Sequence, residues 1–415
     1  MESKIHPALV VLVIILVILA MGLWTWGSGQ AKAIGGPAEL LTDPSGHVYI
    51  QIQNQLLEHD DAGRFVERHD LGKLDVERVL GAIGFFSNGD MLLRRGADSR
   101  TLRDNLRAFF RRTNVKSLTP DSSGEGLYRC NLRTSECAVF GQEAIDFKAA
   151  FGLFIDRRSD AVYISDTTRH VLRKYSADGE AVAGPAAGFR FPNQILLHDG
   201  LLLVADTNHH RIRAVDPTTD AFAEELASFD VVPDDARRAK RTWPSHFTHV
   251  GDMWWVNNMR TGMNEGAIYI FDDDWHYRRK VALPSGADPI ALLPLLGEVL
   301  ISDWNNDRVH RVSAAGELLG DFQSPGLAQV ISESAQARGQ FQAVAYLGVA
   351  VFVLLIAVLL VKSLTTGLSI TPAGKHVSAA ELPTGTNRHS RRMQLLLVLV
   401  AIAVAIVWIM VRHAI

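Results

Sequence analysis

Cysteine is scarce: two residues in 415, Cys130 and Cys137. No second Cys or Cys/His pair lies near them, so a four-ligand zinc site has nothing to complete it. There is no G-x-S-x-G turn to raise a serine nucleophile, and no phosphate-binding loop. Net positive charge is also missing. Residues 30–335 hold 34 Lys and Arg against 43 Asp and Glu, a net charge of about −9. That balance excludes broad nucleic-acid binding, which needs cations for the phosphates.

What is present begins with apolar blocks. Pro7–Trp26, Phe341–Val361 and Leu395–Val411 are charge-free. Each approaches the ~20 residues that cross ~30 Å of hydrocarbon as a helix. They are too long and too uniform for buried core helices, and three membrane-spanning helices are expected. Trp24, Trp26 and Trp408 stand near block ends, where amphipathic rings prefer the interface. Ala31-Lys32-Ala33 has the form of a signal-peptidase site. A signal's apolar core runs ~7–15 residues, however, so the first block reads better as an uncleaved anchor.

The segment between the last two blocks carries Lys362, Lys375, Arg388, Arg391 and Arg392 against Glu381 alone. By the positive-inside rule it is cytoplasmic. The expected layout is an anchor over 1–29, an exported domain over 30–335 and a second helix over 336–361. A basic cytoplasmic loop over 362–393 and a third helix over 394–415 follow. The protein is then a multi-pass inner- or plasma-membrane protein whose large domain faces the periplasm or exterior. There, an oxidising milieu favours a Cys130–Cys137 disulfide across the hairpin YRCNLRTSECAVF.

The exported domain repeats. VYISDTTRHVLRKYSADGE from Val162, LLVADTNHHRIRAVDPTTD from Leu202 and VLISDWNNDRVHRVSAAGE from Val299 align on Asp166, Asp206 and Asp303. Weaker copies are MWWVNNMRTGMNEGAIYIFDDD from Met253 and HVYIQIQNQLLEHDDAGRFVER from His47. A further copy, GDMLLRRG from Gly89, resumes after an insertion at Gly126. Six units of alternating strands and Gly-marked turns, near 45–50 residues each, are the pattern of propeller blades. The expected class is all-β, a six-bladed β-propeller plus three transmembrane helices.

The run Asp206-Thr-Asn-His-His-Arg-Ile212 after LLLVA resembles the NHL repeat, whose members form six-bladed propellers. That resemblance implies fold rather than function. It also implies structural work for Asp166, His170, Asp206, His210, Arg211 and Asp303, tying one blade's loop to its neighbour. The RING and coiled-coil parts of the family's ubiquitin ligases are absent.

The innermost strands open as GPAELL, FPNQILL, WPSHFTHV and ADPIALL. They offer Glu39, Asn193, His246 and Asp288 to the channel mouth. This combination is similar to the metal site of gluconolactonase-like and paraoxonase-like propellers. It implies Ca²⁺ or Mg²⁺ on Glu39, Asn193 and Asp288, with His246 as base. His246 and His249 are three apart on a strand and point to opposite faces, so they do not form a zinc pair. Within residues 96–125, TLRDNLRAFFRRTN has helical spacing and a basic face carrying Arg103, Arg107, Arg111 and Arg112. It is placed to overhang the mouth as a lid, a dock for an anion or a lipid contact.

The leading expectation is a membrane-anchored module that binds an extracytoplasmic ligand or protein, with the lipid bilayer as its other partner. The alternative is a metal-dependent ectoenzyme hydrolysing lactones or esters.

Overall fold

The computed structural model describes residues 7–76, 79, 81–95, 126–141, 151–231, 233, 243–259 and 266–366. The basic insertion, the 367–393 part of the basic loop and the third apolar block lie outside them. The described chain divides into two units, Gly35–Ile331 and the terminal segments on either side of it.

The first unit is a six-bladed β-propeller. Each blade is a four-stranded antiparallel sheet whose strands follow chain order. Blade 1 holds β1 (Pro37–Thr42), β2 (Val48–Ile52), β3 (Gln55–His59) and β4 (Phe65–Asp70). Blade 2 holds β5 (Gly84–Phe85), β6 (Met91–Arg95), β7 (Gly126–Asn131) and β8 (Glu136–Val139). Blade 3 holds β9 (Phe151–Asp156), β10 (Ala161–Asp166), β11 (Val171–Tyr175) and β12 (Ala181–Ala186). Blade 4 holds β13 (Pro192–His198), β14 (Leu201–Asp206), β15 (Arg211–Val215) and β16 (Glu225–Asp230). Blade 5 holds β17 (Trp243–Val250), β18 (Met253–Met259), β19 (Ala267–Asp272) and β20 (Tyr277–Lys280). Blade 6 holds β21 (Pro289–Leu295), β22 (Glu298–Asp303), β23 (Arg308–Ser313) and β24 (Leu318–Asp321).

A blade alternates side chains between its faces, so each sheet is apolar on both sides and buries them against two neighbours. The core is therefore a set of wedges. One cluster fills each seam, from Tyr49, Phe85 and Met91 between blades 1 and 2 round to Trp255, Ile268 and Ile301 between blades 5 and 6. The ring closes between blades 6 and 1, where Leu40, Ile50, Leu300 and Val309 pack together. Leu327 and Val330 of the following helix join that seam, and Ser302 Oγ donates to Ala38 O at 2.6 Å. The inner edge of each blade is a short first strand that faces the axis and is protected by its five counterparts.

Cys130 and Cys137 face each other on β7 and β8 and are joined by a disulfide. The closed loop is short, so the cross-link restricts the unfolded chain modestly. Replacing both cysteines by serine is expected to cost about 2 kcal/mol of stability. Denaturant melts of oxidised, reduced and doubly substituted protein test this, and the last two should coincide.

Two helices, α1 (Pro7–Ala33) and α2 (Pro325–Thr366), are long and apolar enough to cross a membrane; they make up the described part of the second unit, apart from the start of α2 up to Ile331, which belongs to the first. The second helix starts earlier than its apolar block, inside the stretch assigned above to the exported domain. The reason is local: Ser324 Oγ accepts from Leu327 N–H at 3.3 Å, an N-cap, and Pro325 takes the first helical position, where no donor is needed. The helices meet through small residues. A Cβ on Gly348 would sit 2.6 Å from Ala20 O, and one on Gly27 would sit 2.7 Å from Ala345 N. Such backbone approach is how helices associate in lipid. Outward, Ile14, Ile18, Leu347, Leu354 and Val358 are exposed, the reverse of a water-facing helix.

Candidate functional site at the propeller axis

Four inner strands carry proline at their start, Pro37, Pro192 and Pro289 as the first residue and Pro244 as the second. Proline has no N–H for the ladder and is confined to strand starts and edges. In each case the register slips just after it, a β-bulge. The bulge frees a carbonyl, and a polar side chain of the preceding blade claims it. Ser302 bonds Ala38 O at 2.6 Å, Thr207 bonds Pro244 O at 2.7 Å and Asn257 Nδ2 bonds Pro289 O at 2.6 Å. Ser165 bonds Asn193 O in the same way. These bonds lock the inner strands into a rigid wall.

The wall encloses an axial cavity of about 650 Å³, within the 300–1,000 Å³ range of small-ligand sites. All six first strands contribute to it. Leu40, Ile83, Phe85, Ile155, Phe247 and Leu292 supply apolar surface; Glu39, Asn193, Gln194 and His246 supply polar groups, and Asp156, Arg157 and Arg158 line it where β9 ends.

Glu39 is half-buried. Among the described residues its carboxylate has no hydrogen-bond or ion-pair partner, only its backbone N–H being engaged, by Gln51 Oε1 at 3.3 Å. Burial without compensation pushes its carboxyl up to about 7. His246, also half-buried, is pushed down by burial to about 4. The imidazole is therefore neutral at physiological pH, with Nδ1 3.4 Å from Ser245 Oγ.

Asn193 lines the cavity but is partly committed elsewhere. Thr207 donates its one proton to Pro244 O, so it must accept from Asn193 Nδ2, at 2.6 Å. The amide Oδ1 is left for the cavity. Asp288 is placed differently. It precedes the proline, is buried and lies outside the cavity lining. Its Oδ1 accepts from Gly266 N–H at 3.3 Å, and its own N–H donates to Asp303 Oδ1 at 2.9 Å. The structure thus brings Glu39, Asn193 and His246 to one cavity and turns Asp288 into the loop network. His249 also turns away, bonding Asp273 Oδ1 at 2.7 Å and packing 4.5 Å from the Trp254 ring.

Gln194 escaped the sequence reading. It stands two residues after its proline, as Glu39 and His246 do after theirs; in blade 6 that place is Ala291, which is buried in the seam with blade 1. Gln194 Oε1 accepts from Phe247 N–H at 2.5 Å, which fixes the amide and directs its NH₂ elsewhere. The offset from proline was the usable signal. At the far end of the inner strands, Arg157 reaches past blade 2, whose inner strand has only two residues, to bond Thr42 Oγ1 at 2.9 Å.

The repeat aspartates do structural work, mostly within their own blades. Asp206 accepts from Arg190 N–H at 2.7 Å, His209 Nδ1 at 2.8 Å and Arg211 Nε at 3.0 Å. Asp166 takes Arg169 N–H at 3.1 Å. Ties to the next blade come instead from the histidines: His170 Nδ1 accepts from Phe191 N–H at 2.9 Å, and the His210 ring lies 5.8 Å from Trp243.

No family model matches the sequence, and no curated protein does. Among solved structures the chain is similar to streptogramin B lyase (TM-score 0.45, 13% identity, covering 69% of this chain and 82% of that one). It is also similar to virginiamycin B lyase from Staphylococcus aureus (0.44, 12%, 68% and 83%). A third likeness is to the tricorn protease (0.42, 15%, 70% and 26%). At these values the likeness carries no argument about activity. The class rests on the six sheets themselves: the protein is a six-bladed β-propeller with an apolar helix near each end.

Proposed function

We propose that the propeller is a membrane-held binding module. Its axial cavity takes a small ligand with an apolar body and a protonated amine or comparable donor. The observation that carries this reading is the Glu39 carboxylate, which has no partner among the described residues, on the wall of a cavity whose other charged lining residues, Asp156, Arg157 and Arg158, stand at the far end of the inner strands. A bound cation would supply the partner it lacks, and Gln194 and His246 would orient the rest of the ligand.

The disulfide is at home in an oxidising compartment. The basic flank at 362–392 favours a cytoplasmic position for that segment. Together they support a periplasmic or extracellular propeller. The hydrolase alternative needs oxygens of Glu39, Asn193 and Asp288 to converge on one cation at ~2.3–2.6 Å. The engagement of Asp288 by Gly266, outside the cavity lining, weighs against it.

The test uses the pH dependence of Glu39. A cation prefers the ionised carboxylate, so affinity for amine probes should rise from pH 6 to 8, by up to about tenfold per unit below the carboxyl's pKa, and level off above it. Glu39→Gln should flatten the profile. Amines and their hydroxyl isosteres can be screened on the full chain in detergent by ligand-observed NMR. Equal affinity of wild type and Glu39→Gln at every pH would refute the cationic-ligand reading.

A further inference from the structure

A second group of ionisable side chains lies on blade 1, away from the axis. Glu58 and Glu67 are directly opposed across β3 and β4. Tyr49 is opposed to Glu58 across β2 and β3. Side chains two apart on a strand share a face, so His69 lies beside Glu67, and His47 precedes Tyr49 on that same face. The result is concentrated. Carboxylate oxygens of Glu58 and Glu67 and a ring nitrogen of His69 all lie within 4.8 Å of one another. His69 Nε2 is 2.7 Å from Glu58 Oε2, and His47 Nδ1 is 2.7 Å from Glu58 Oε1. The Glu58 side chain is 4% exposed and that of His69 10%, while Glu67 is exposed.

Directly opposed like charges destabilise an antiparallel pair. Nothing in the fold obliges Glu67 to stand there, since β4 is an outer strand whose neighbour Val66 is also exposed. A cation between the two carboxylates would turn the repulsion into attraction. The donor set of one imidazole and two carboxylates suits Zn²⁺ or Mn²⁺ better than a thiolate-seeking ion.

We propose that Glu58, Glu67 and His69 form a divalent transition-metal site. In it His47 is an outer donor that holds the second oxygen of Glu58, as hydrogen-bonded partners do for metal-ligating carboxylates. On binding, the proton shared by His69 and Glu58 leaves to solvent, and the ion takes its place between them. The exposed side of Glu67 gives the ion its path in and leaves a coordination position for water. None of the four residues lines the axial cavity, so this site is independent of the one above.

The experiment uses the full chain in detergent, purified without a polyhistidine tag and stripped with chelator. Zn²⁺ binding is followed by equilibrium dialysis and metal analysis, with Co²⁺ absorption as a spectroscopic probe. The expected result is one tightly held Zn²⁺ per chain, weakened at least about tenfold in Glu67→Gln and in His69→Asn and about 10–100-fold in His47→Asn. Glu39→Gln and His246→Asn should bind as wild type does. Glu67 is exposed, so Glu67→Gln keeps the fold and an unchanged melt confirms it. No retained Zn²⁺, or retention unchanged in Glu67→Gln and His69→Asn, overturns the proposal.

Discussion

His310→Ala is expected to cost the propeller about 3 kcal/mol. His310 is buried in blade 6 between two carboxylates, with Nε2 2.9 Å from Asp303 Oδ2 and Nδ1 3.0 Å from Asp321 Oδ1. The His310 side chain is 1% exposed and that of Asp303 0%. Removing one partner of a buried pair leaves the other charge unanswered, at about 3–5 kcal/mol. The lower end applies because Asp303 keeps the Asp288 N–H and Asn306 Nδ2 as donors.

Burial alone would depress the imidazole. The hydrogen bonds and charges of Asp303 and Asp321 outweigh burial and hold it above its ordinary 6.5. Its stabilisation is therefore complete below about pH 6.5 and is lost as pH rises through that raised value. Burial likewise pushes Asp303 up, but the bonds from His310, Asp288 N–H and Asn306 hold it below its usual range. Its contribution is present above about pH 4 and fades as pH falls through the depressed value. Guanidinium melts of wild type and His310→Ala should differ most between those limits, and the difference should narrow at alkaline pH to the loss of packing and of a neutral hydrogen bond. A constant difference across pH would show that packing, rather than the imidazolium, is what the substitution removes.

His310 also shows where sequence reading stops. Asp303 was visible because it recurs with Asp166 and Asp206, and the recurrence supplied the blade count and strand order. His310 does not recur. Arg173 and Arg213 occupy the matching place on β11 and β15, so nothing marked it as a partner of Asp303. The Glu58 cluster was hidden for a related reason. Its members are 9 and 11 residues apart in sequence and become neighbours only through the register of β2, β3 and β4.

At the axis, the opening segments of the inner strands were legible because proline marks them. The bulge after each proline was not, and it decides which side chains face inward. Counting from the proline separates Glu39, Gln194 and His246, two residues on, from Asn193, one residue on, and from Asp288, which precedes it. A bulge changes alternation by one residue. Asn193 and the residues two on line the cavity in blades 1, 4 and 5, whereas Asp288 stands before its proline and is drawn into the loop network.

The same dependence on backbone geometry sets the second large effect, expected for Gly179→Ala. The turn Ser176–Glu180 joins β11 to β12, and Gly179 N–H donates to Ser176 O at 3.0 Å with φ at +84°. An L-residue in that region costs about 1–2 kcal/mol. Here the added Cβ would also lie 2.3 Å from Gly141 N and 2.6 Å from Gly141 Cα. Those are backbone atoms of the neighbouring blade, tied in by Phe140 N–H to Leu127 O at 2.8 Å, so no side chain can swing aside. Forced overpacking adds about 1–3 kcal/mol, for a total near 3–4 kcal/mol.

Equivalent turns provide a graded control. Gly63 and Gly316 share the positive φ, but an added Cβ there meets side chains first, Phe322 at 3.2 Å and Ile270 at 3.0 Å. Gly89, with φ at +87°, has nothing within 4 Å. Alanine should therefore cost about 1–2 kcal/mol at Gly89, more at Gly63 and Gly316, and most at Gly179. Urea melts of the four variants in the full chain measure the series. Equal losses at Gly89 and Gly179 would mean that the outer turn of blade 3 does not bear on blade 2, and that this seam is held by its apolar wedge alone.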